Sequence, residues 1–311
     1  MRSPLLWTLI ASVALLCGVG GWLLTDPATS RSEALKTAGL AGGAVVALYA
    51  LWLNDRRRRV EEARQVIEQQ RHDVDRERIS DERFAKSVEL LGHEADQVRV
   101  GALHALAGLA RTRPEYRQTV LDVLCSYLRR PFIHGRYEGV DVTPEEEREL
   151  QVRLTAQRLI RDLLPLSDVD GPGPDLDLTG AVLEYFDLSH RRIGGLLLRH
   201  ASLYSSTNLS GCVFTGQAYF TAAGTGPGRL VGVFRCRNTT FQDRAWFSGT
   251  AFSERTNFSD TAFKGPTTFK GATFAKEVLF DGATFADSAE LRLPDGWKLE
   301  PRNGGYVATP S

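Results

Sequence analysis

The chain has 311 residues and balances 38 basic against 38 acidic side chains, so its formal net charge is zero. This balance excludes the basic composition typical of nucleic-acid-binding proteins, and we expect no nucleic-acid partner. Hydrophobic residues make up 42% of the chain, and the four cysteines show no spacing that predicts a disulfide or a metal site.

Two stretches near the N-terminus carry almost no charge. Residues 5–24 contain no charged side chain, and residues 34–53 contain only Lys36. Each stretch is long enough to cross a hydrocarbon core of about 30 Å, and tryptophans lie near the ends. The sequence therefore predicts a two-helix transmembrane hairpin over residues 1–53. A cleaved signal peptide is the alternative for the first stretch, because Arg2 precedes it, but no small-x-small cleavage site follows it.

Four arginines follow the second apolar stretch directly. By the positive-inside rule they place both termini in the cytoplasm and predict a multi-pass protein of the cell membrane. They are also candidates for contact with anionic lipid, at about 1 kcal/mol per residue, the alternative being a purely topological role. Residues 54–80 predict a charged juxtamembrane helix, in which apolar residues are sparse for a coiled-coil seam. The candidate lipid contacts are Arg56, Arg57, Arg58 and Arg59.

The middle of the chain carries apolar residues at helical spacing. Residues 81–165 therefore predict a small α-helical module. Pro114 opens one of its helices, and Thr143–Glu146 form a capping box with proline at the first helical position. The stretch 96–106 resembles one HEAT-type repeat, which implies paired helices. Residues 166–174, rich in Asp, Gly and Pro, predict a linker.

The last third of the chain carries a ladder of large apolar residues. Its phenylalanines alternate six and five residues apart, and an earlier block of leucines steps by five. Two positions before each of these phenylalanines stands a small or β-branched residue, and a strand places both on the same face. A helix would split the phenylalanines between two separate stripes. The predicted inward residues are Leu178, Leu183, Leu188, Ile193, Leu198, Leu203, Phe241, Phe247, Phe252, Phe258, Phe263, Phe269, Phe274, Phe280 and Phe285.

This ladder resembles a known repeat family. Asp177-Leu178-Thr179-Gly180-Ala181 looks like a pentapeptide repeat, and Phe269-Lys270-Gly271-Ala272-Thr273-Phe274 looks like its phenylalanine-centred variant. The resemblance covers residues 175–293 and is to bacterial, actinobacterial-like membrane proteins that contain pentapeptide repeats. It implies a right-handed quadrilateral β-helix with one repeat on each side. The expected fold class is α+β multidomain, with two transmembrane helices, a small α-helical module and this β-helix.

The repeat pattern has three irregular features. The extra residue at every second step predicts coils of about 22 residues. Residues 221–233 break the period, and their glycines predict a surface loop rather than a phosphate-binding loop, because the Gly-Lys-Ser/Thr ending is missing. Residues 294–311, with Trp297 and Tyr306, predict a cap over the last coil, and the helices before residue 175 predict a cap over the first.

No side-chain pattern predicts catalysis or the binding of a metal or cofactor. Glu89 and His93 stand one helical turn apart, but a metal site needs a third ligand at suitable spacing. Neither a Gly-x-Ser-x-Gly motif nor a Cys/His pair predicts a nucleophile. We therefore expect a protein that is not an enzyme.

The favoured function is a membrane-anchored cytoplasmic scaffold that binds an unknown protein partner through its β-helix and helical module. Trp246 stands beside the ladder residue Phe247, so it should point outward and is a candidate partner contact. Its coverage by a neighbouring corner or loop is the alternative. Two other functions stay open: a component of a membrane signalling or stress-response pathway, and an enzyme with a site between the helical module and the β-helix.

Overall fold

The computed structural model of the chain describes residues 4–25, 31–226, 228–229, 231–286, 291, 293–302 and 305–311. The chain divides into two compact units, Met1–Ile79 and Ser80–Ser311.

The N-terminal helices do not form the predicted membrane hairpin. Helix α1 covers Pro4–Leu24 and helix α2 covers Arg31–Leu90, while the connector 26–30 lies outside the described residues. In the described part of the chain, no helix combines the length and the apolar character that a membrane crossing needs. The predicted spans 5–24 and 34–53 are therefore wrong, and with them the multi-pass location in the cell membrane and the cytoplasmic placement of the termini.

The second predicted stretch is not a separate helix, as a span that ends at the membrane surface would be. It is the beginning of the 60-residue α2, which continues through the four arginines into residues rich in charge.

The second unit begins with helices. After the end of α2 come α3 (Asp96–Thr112), a 3₁₀ turn (Pro114–Tyr116), α4 (Arg117–Leu128), α5 (Gly135–Glu138) and α6 (Pro144–Leu163). The capping box opens α6: the Glu146 amide donates to Thr143 Oγ1 (3.2 Å), and the Thr143 amide donates to Glu146 Oε2 (3.0 Å). Apolar side chains of α3, α4 and α6 pack together, including the fully buried Leu103, Leu124 and Ile160.

A β-helix of about five coils follows, which confirms the architecture implied by the repeat. Its strands are β1 (Leu176–Asp177), β2 (Val182–Asp187), β3 (Arg192–Ile193), β4 (Leu196–Leu197), β5 (Ser202–Asn208), β6 (Val213–Phe214), β7 (Ala218–Tyr219), β8 (Gly224–Gly226), β9 (Val233–Arg235), β10 (Thr240–Phe241), β11 (Ala245–Trp246), β12 (Ala251–Phe252), β13 (Thr256–Asn257), β14 (Ala262–Phe263), β15 (Thr267–Thr268), β16 (Thr273–Phe274), β17 (Val278–Leu279), β18 (Thr284–Phe285), β19 (Trp297–Arg302) and β20 (Gly305–Pro310).

These strands form four faces. Face A is the parallel sheet β1-β4-β7-β11-β15. Face B contains β8, β12 and β16, and face C contains β9, β13 and β17. The longer strands β2 and β5 bend at the corner and belong to both: their first residues pair along face B and their last residues along face C. Face D contains β3, β6, β10, β14 and β18.

The ladder residues stack inside these faces. On face D, the rings of Phe214, Phe241, Phe263 and Phe285 lie nearly parallel, with successive centroids 4.7, 5.1 and 4.7 Å apart. Every predicted inward residue is buried except Phe274, which is half-buried. The paired residues Phe241 and Phe263 are 22 positions apart in the chain, the coil length that the ladder predicted.

The alternation of five and six residues follows from the backbone at the corners. Each five-residue step from face A to face B, and from face C to face D, turns through one residue with φ between 51° and 71°. This left-handed turn saves a residue but costs about 1 kcal/mol or more for residues other than glycine. The later six-residue steps use ordinary backbone instead. The left-handed residues are Gly180, His200, Ala222, Gly249 and Gly271 after face A, and His190, Gly211, Asn238, Asp260 and Gly282 after face C.

The predicted loop 221–233 is smaller than the sequence suggested. Gly224–Gly226 form β8 and pair with β5 and β12, so they belong to the coil. Pro227 and Leu230 lie outside the described residues. The residues between β8 and β9 are an insertion into this coil. Because of this insertion, paired residues on face D are locally 27 positions apart, as Phe214 and Phe241 show.

Both ends of the β-helix are covered. Helices α4 and α6 contact β1 and β2 at the first coil. At the last coil, β20 pairs with β18 in antiparallel fashion and with β19 in a hairpin. The indole N–H of Trp297 donates to the carbonyl of Val278 (3.1 Å), and its ring meets Phe280 at 5.7 Å.

Candidate partner-binding face

Face A presents a continuous row of outward side chains. Directly paired positions on its five strands are Asp177, Leu197, Tyr219, Trp246 and Thr268. Neighbouring strands are about 4.8 Å apart, so the side chains of the row lie side by side. The row therefore runs along the β-helix from an acidic end beside α4 to an aromatic centre.

The aromatic centre is held by two arginines. Tyr219 and Trp246 meet edge to face, with centroids 5.4 Å apart. The guanidinium of Arg199 lies 4.3 Å from the Tyr219 ring centre, and that of Arg244 lies 4.8 Å from the Trp246 ring centre. Arg244 also donates to the Tyr219 hydroxyl (3.2 Å). Trp246 points outward and is half-buried among these neighbours, so it is a fixed rather than a freely rotating side chain.

A groove of about 390 Å³ lies at the acidic end of the row, where face A meets α4. Its floor is largely apolar, from Leu197 and the ring of Tyr219. Asp122 of α4 forms the opposite wall. The lining residues are Asp122, Asp175, Leu176, Asp177, Gly195, Leu197, Gly216, Gln217, Tyr219 and Asp243.

Hydrogen bonds fix the wall of this groove. Gln118 of α4 accepts from the Asp175 amide (3.0 Å) and donates to the Asp175 carbonyl (2.9 Å), which joins the helix to the first coil. The same side chain donates to Asp122 Oδ1 (2.8 Å), and Asp175 Oδ1 accepts from the Gly195 amide (2.5 Å). The groove is therefore formed before any partner arrives.

The groove carries more negative than positive charge. Among the described residues, one cation pairs with its four carboxylates: Arg129 forms an ion pair with Asp177. Asp122 and Asp175 each use one oxygen for a hydrogen bond from a neutral donor. Asp243 accepts from the Arg244 amide, and after the hydrogen bond to Tyr219 its charge is a further cause that raises the pKa of the Arg244 guanidinium. The arginines at the aromatic centre do not line the groove.

A buried carboxylate lies where the helical module meets face B. Glu184 is 1% exposed and accepts three hydrogen bonds: from the hydroxyls of Tyr137 (2.8 Å) and Ser205 (2.6 Å), and from the Arg229 amide (3.0 Å). The Tyr137 ring stacks on Tyr204 with centroids 3.7 Å apart. Burial, and then the hydrogen bond to Glu184, raise the pKa of Tyr137 far above its usual value, so this hydroxyl remains a donor.

The glycine cluster of the insertion is explained by this contact. A Cβ on Gly226 would lie 2.8 Å from the Tyr204 ring, and one on Gly228 would lie 2.4 Å from Ser205 Oγ. The guanidinium of Arg229 then forms an ion pair with Glu147 of α6, and this hydrogen bond lowers the pKa of Glu147. Sequence reasoning missed the site, because composition alone does not separate a docked glycine segment from a flexible one.

Other candidate chemical groups are engaged in the structure or shielded by it. Burial raises the pKa values of Cys125 and Cys212 to about 12, so both remain weakly nucleophilic thiols. Glu89 pairs with Lys86 (2.9 Å), while His93 Nδ1 accepts from the Ala95 amide (3.0 Å). Within the described ranges, no group of three or more His, Cys, Asp or Glu side chains could hold a metal ion.

The four arginines of α2 belong to the first unit, Met1–Ile79. Arg56, Arg57 and Arg58 are exposed, and Arg56 lies 5.4 Å from the Trp52 ring centre, whereas the side chain of Arg59 is outside the described set. Their contact with lipid stays a prediction, now without the membrane hairpin that motivated it.

Comparison with known proteins supports the repeat. Residues 247–292 match the family described as pentapeptide repeats (9 copies). No curated protein and no solved structure matches the chain. The resemblance of residues 96–106 to a HEAT-type repeat and the actinobacterial-like origin stay predictions.

Proposed function

We propose that this chain is a non-catalytic scaffold that binds a protein partner through face A of its β-helix. β-Helices of pentapeptide repeats commonly serve as protein-interaction scaffolds. The observation that carries the proposal is the pair Tyr219 and Trp246, fixed by two arginines beside a preformed groove. Aromatic side chains held rigidly at the centre of a surface are typical binding hot spots, because little conformational entropy is lost on binding.

Faces B and C offer less to a partner. The paired outward residues of face C are Asp187, Asn208, Arg235, Asn257 and Leu279, which are mostly polar. On face B, the aromatic Tyr204 is already covered by Tyr137 of α5. Face A therefore combines aromatic surface and a groove in a way that the described parts of faces B and C do not.

Two observations favour binding over catalysis. The buried cysteines have raised pKa values and lie inside the fold. The polar network around Glu184 is closed by Tyr137, Ser205 and Arg229, so a substrate would have to displace a packed tyrosine to reach it.

The test compares capture of partners by the full chain and two variants. Trp246→Ala removes the aromatic anchor, and Gln242→Ala changes an exposed side chain on the same coil as a matched control. We expect Trp246→Ala to reduce the captured amount about tenfold or more, as loss of a hot spot of about 2 kcal/mol implies, and Gln242→Ala to leave it unchanged. Equal capture by all three proteins, with unchanged circular dichroism, would overturn the proposal.

A further inference from the structure

We propose that the partner segment in the groove of face A is an extended peptide whose lysine or arginine side chain enters between α4 and the first coils. This inference rests on the proposed binding role of face A and adds the chemistry of the partner. It is carried by the combination of an apolar floor and an unbalanced negative rim in one preformed groove.

The shape of the groove fits a long basic side chain. Lysine and arginine lay their methylene stems along apolar surface while the charged head stays among polar groups. Here Leu197 and the Tyr219 ring supply the apolar surface. The second carboxylate oxygens of Asp122 and Asp175 lie on the rim where the head would end.

Charge selects against other occupants. An acidic segment would face four carboxylates, of which Arg129 pairs with Asp177 and Arg244 offsets Asp243, so that Asp122 and Asp175 set the charge of the groove next to α4. Like charges brought together at an interface weaken binding, so the rim excludes acidic segments as well as attracting basic ones. The order of charges along face A also orients the segment, because Arg199 and Arg244 lie at its aromatic end.

The spacing of the strands sets the length of the segment. From β1 to β11 there are three steps between paired strands, or about 14 Å at 4.8 Å each. An extended chain covers this distance in about four residues. A basic residue in the groove therefore places a residue about four positions away on Trp246, where an apolar or aromatic side chain fits.

The test selects phage-displayed random dodecapeptides on the immobilised full chain and on three variants. Asp122→Lys reverses one charge on the groove wall, where its one described hydrogen bond is to Gln118. Asp281→Lys makes the same charge change at an exposed corner between faces C and D and is the matched control. Trp246→Ala reports whether selected peptides use face A at all.

Peptides selected on the unmodified chain should be enriched in Lys and Arg over Asp and Glu. That enrichment should persist on Asp281→Lys and disappear on Asp122→Lys. For a synthetic copy of a selected peptide, Asp122→Lys should raise the dissociation constant about five- to tenfold. Added salt should also raise the dissociation constant of the peptide for the unmodified chain. If the selected peptides lose binding on Trp246→Ala but are not enriched in Lys and Arg, this inference is overturned and the proposed function stands. Failure to select any peptide that depends on Trp246 would overturn both.

Discussion

Replacing Phe247 with alanine is expected to lower the free energy of unfolding of the β-helix by about 4 kcal/mol. Phe247 is fully buried, and its ring is stacked between Phe220 at 4.6 Å and Phe269 at 4.8 Å. The ring of Phe258 meets it nearly at right angles, at 5.3 Å. Strand pairing fixes the distance between coils, so these rings cannot move together to fill the void, and the full cost of the cavity remains.

The control is Phe274→Ala in the same β-helix. Phe274 is half-buried and stacks on one side only, on Phe252 at 4.9 Å, so we expect a loss of about 2 kcal/mol. Urea unfolding followed by far-ultraviolet circular dichroism measures both values from the midpoint and the slope. Phe247→Leu, which keeps most of the apolar volume, should lose less than about 1.5 kcal/mol. If Phe247→Ala were no less stable than Phe274→Ala, the stacked column would not be the main source of stability.

Two further predictions concern the junction and the thiols. Arg229→Ala should lower the free energy of unfolding by about 1 kcal/mol, because the Arg229 side chain, paired with Glu147, is one-third exposed and solvent screening limits the ion pair. As a control, Arg255→Ala breaks an ion pair with Glu277 that is about 60% exposed, and it should change the free energy of unfolding by less than about 0.5 kcal/mol. Thermal unfolding of both variants measures the difference, and equal melting temperatures would contradict a holding role for the insertion. At pH 8, Ellman's reagent should label the exposed Cys17 rapidly and the three buried cysteines only in denaturant, because burial shields them and raises their pKa values. A second fast thiol in the native protein, or fast labelling that survives Cys17→Ser, would show that a buried cysteine is accessible.

The inward residues of the β-helix could be predicted because their signal is repeated. Each ladder residue, such as Phe263, is placed by the same local rule as its neighbours one coil away, so single errors do not accumulate. The C-terminal hairpin around Trp297 gives no such redundancy. Its role depends on a contact with Phe280 across the last coil, which spacing alone does not encode.

The candidate site was predicted only in part. The outward direction of Trp246 follows from strand alternation, but its contact with Tyr219 joins residues 27 positions, or one coil, apart. Arg244, whose guanidinium lies over the Trp246 ring, is two positions away in the chain. The groove needs α4 to lie against face A, and no local pattern around Asp122 indicates that packing. The membrane hairpin was wrong: in the described residues no helix is long and apolar enough to cross a membrane, and the second stretch is part of the 60-residue α2, whose length the charge-free run alone did not indicate.

The coil geometry also determines what this architecture can be used for. A coil of 22 residues lengthens the β-helix by about 4.8 Å, or about 0.2 Å per residue, whereas an α-helix gains 1.5 Å per residue. Most of the chain length therefore goes into perimeter rather than reach. Adding or removing a coil would change the area of all four faces by one strand each and leave the cross-section unaltered. The β-helix is thus suited to display a surface whose extent grows in equal increments, and poorly suited to separate two objects in space.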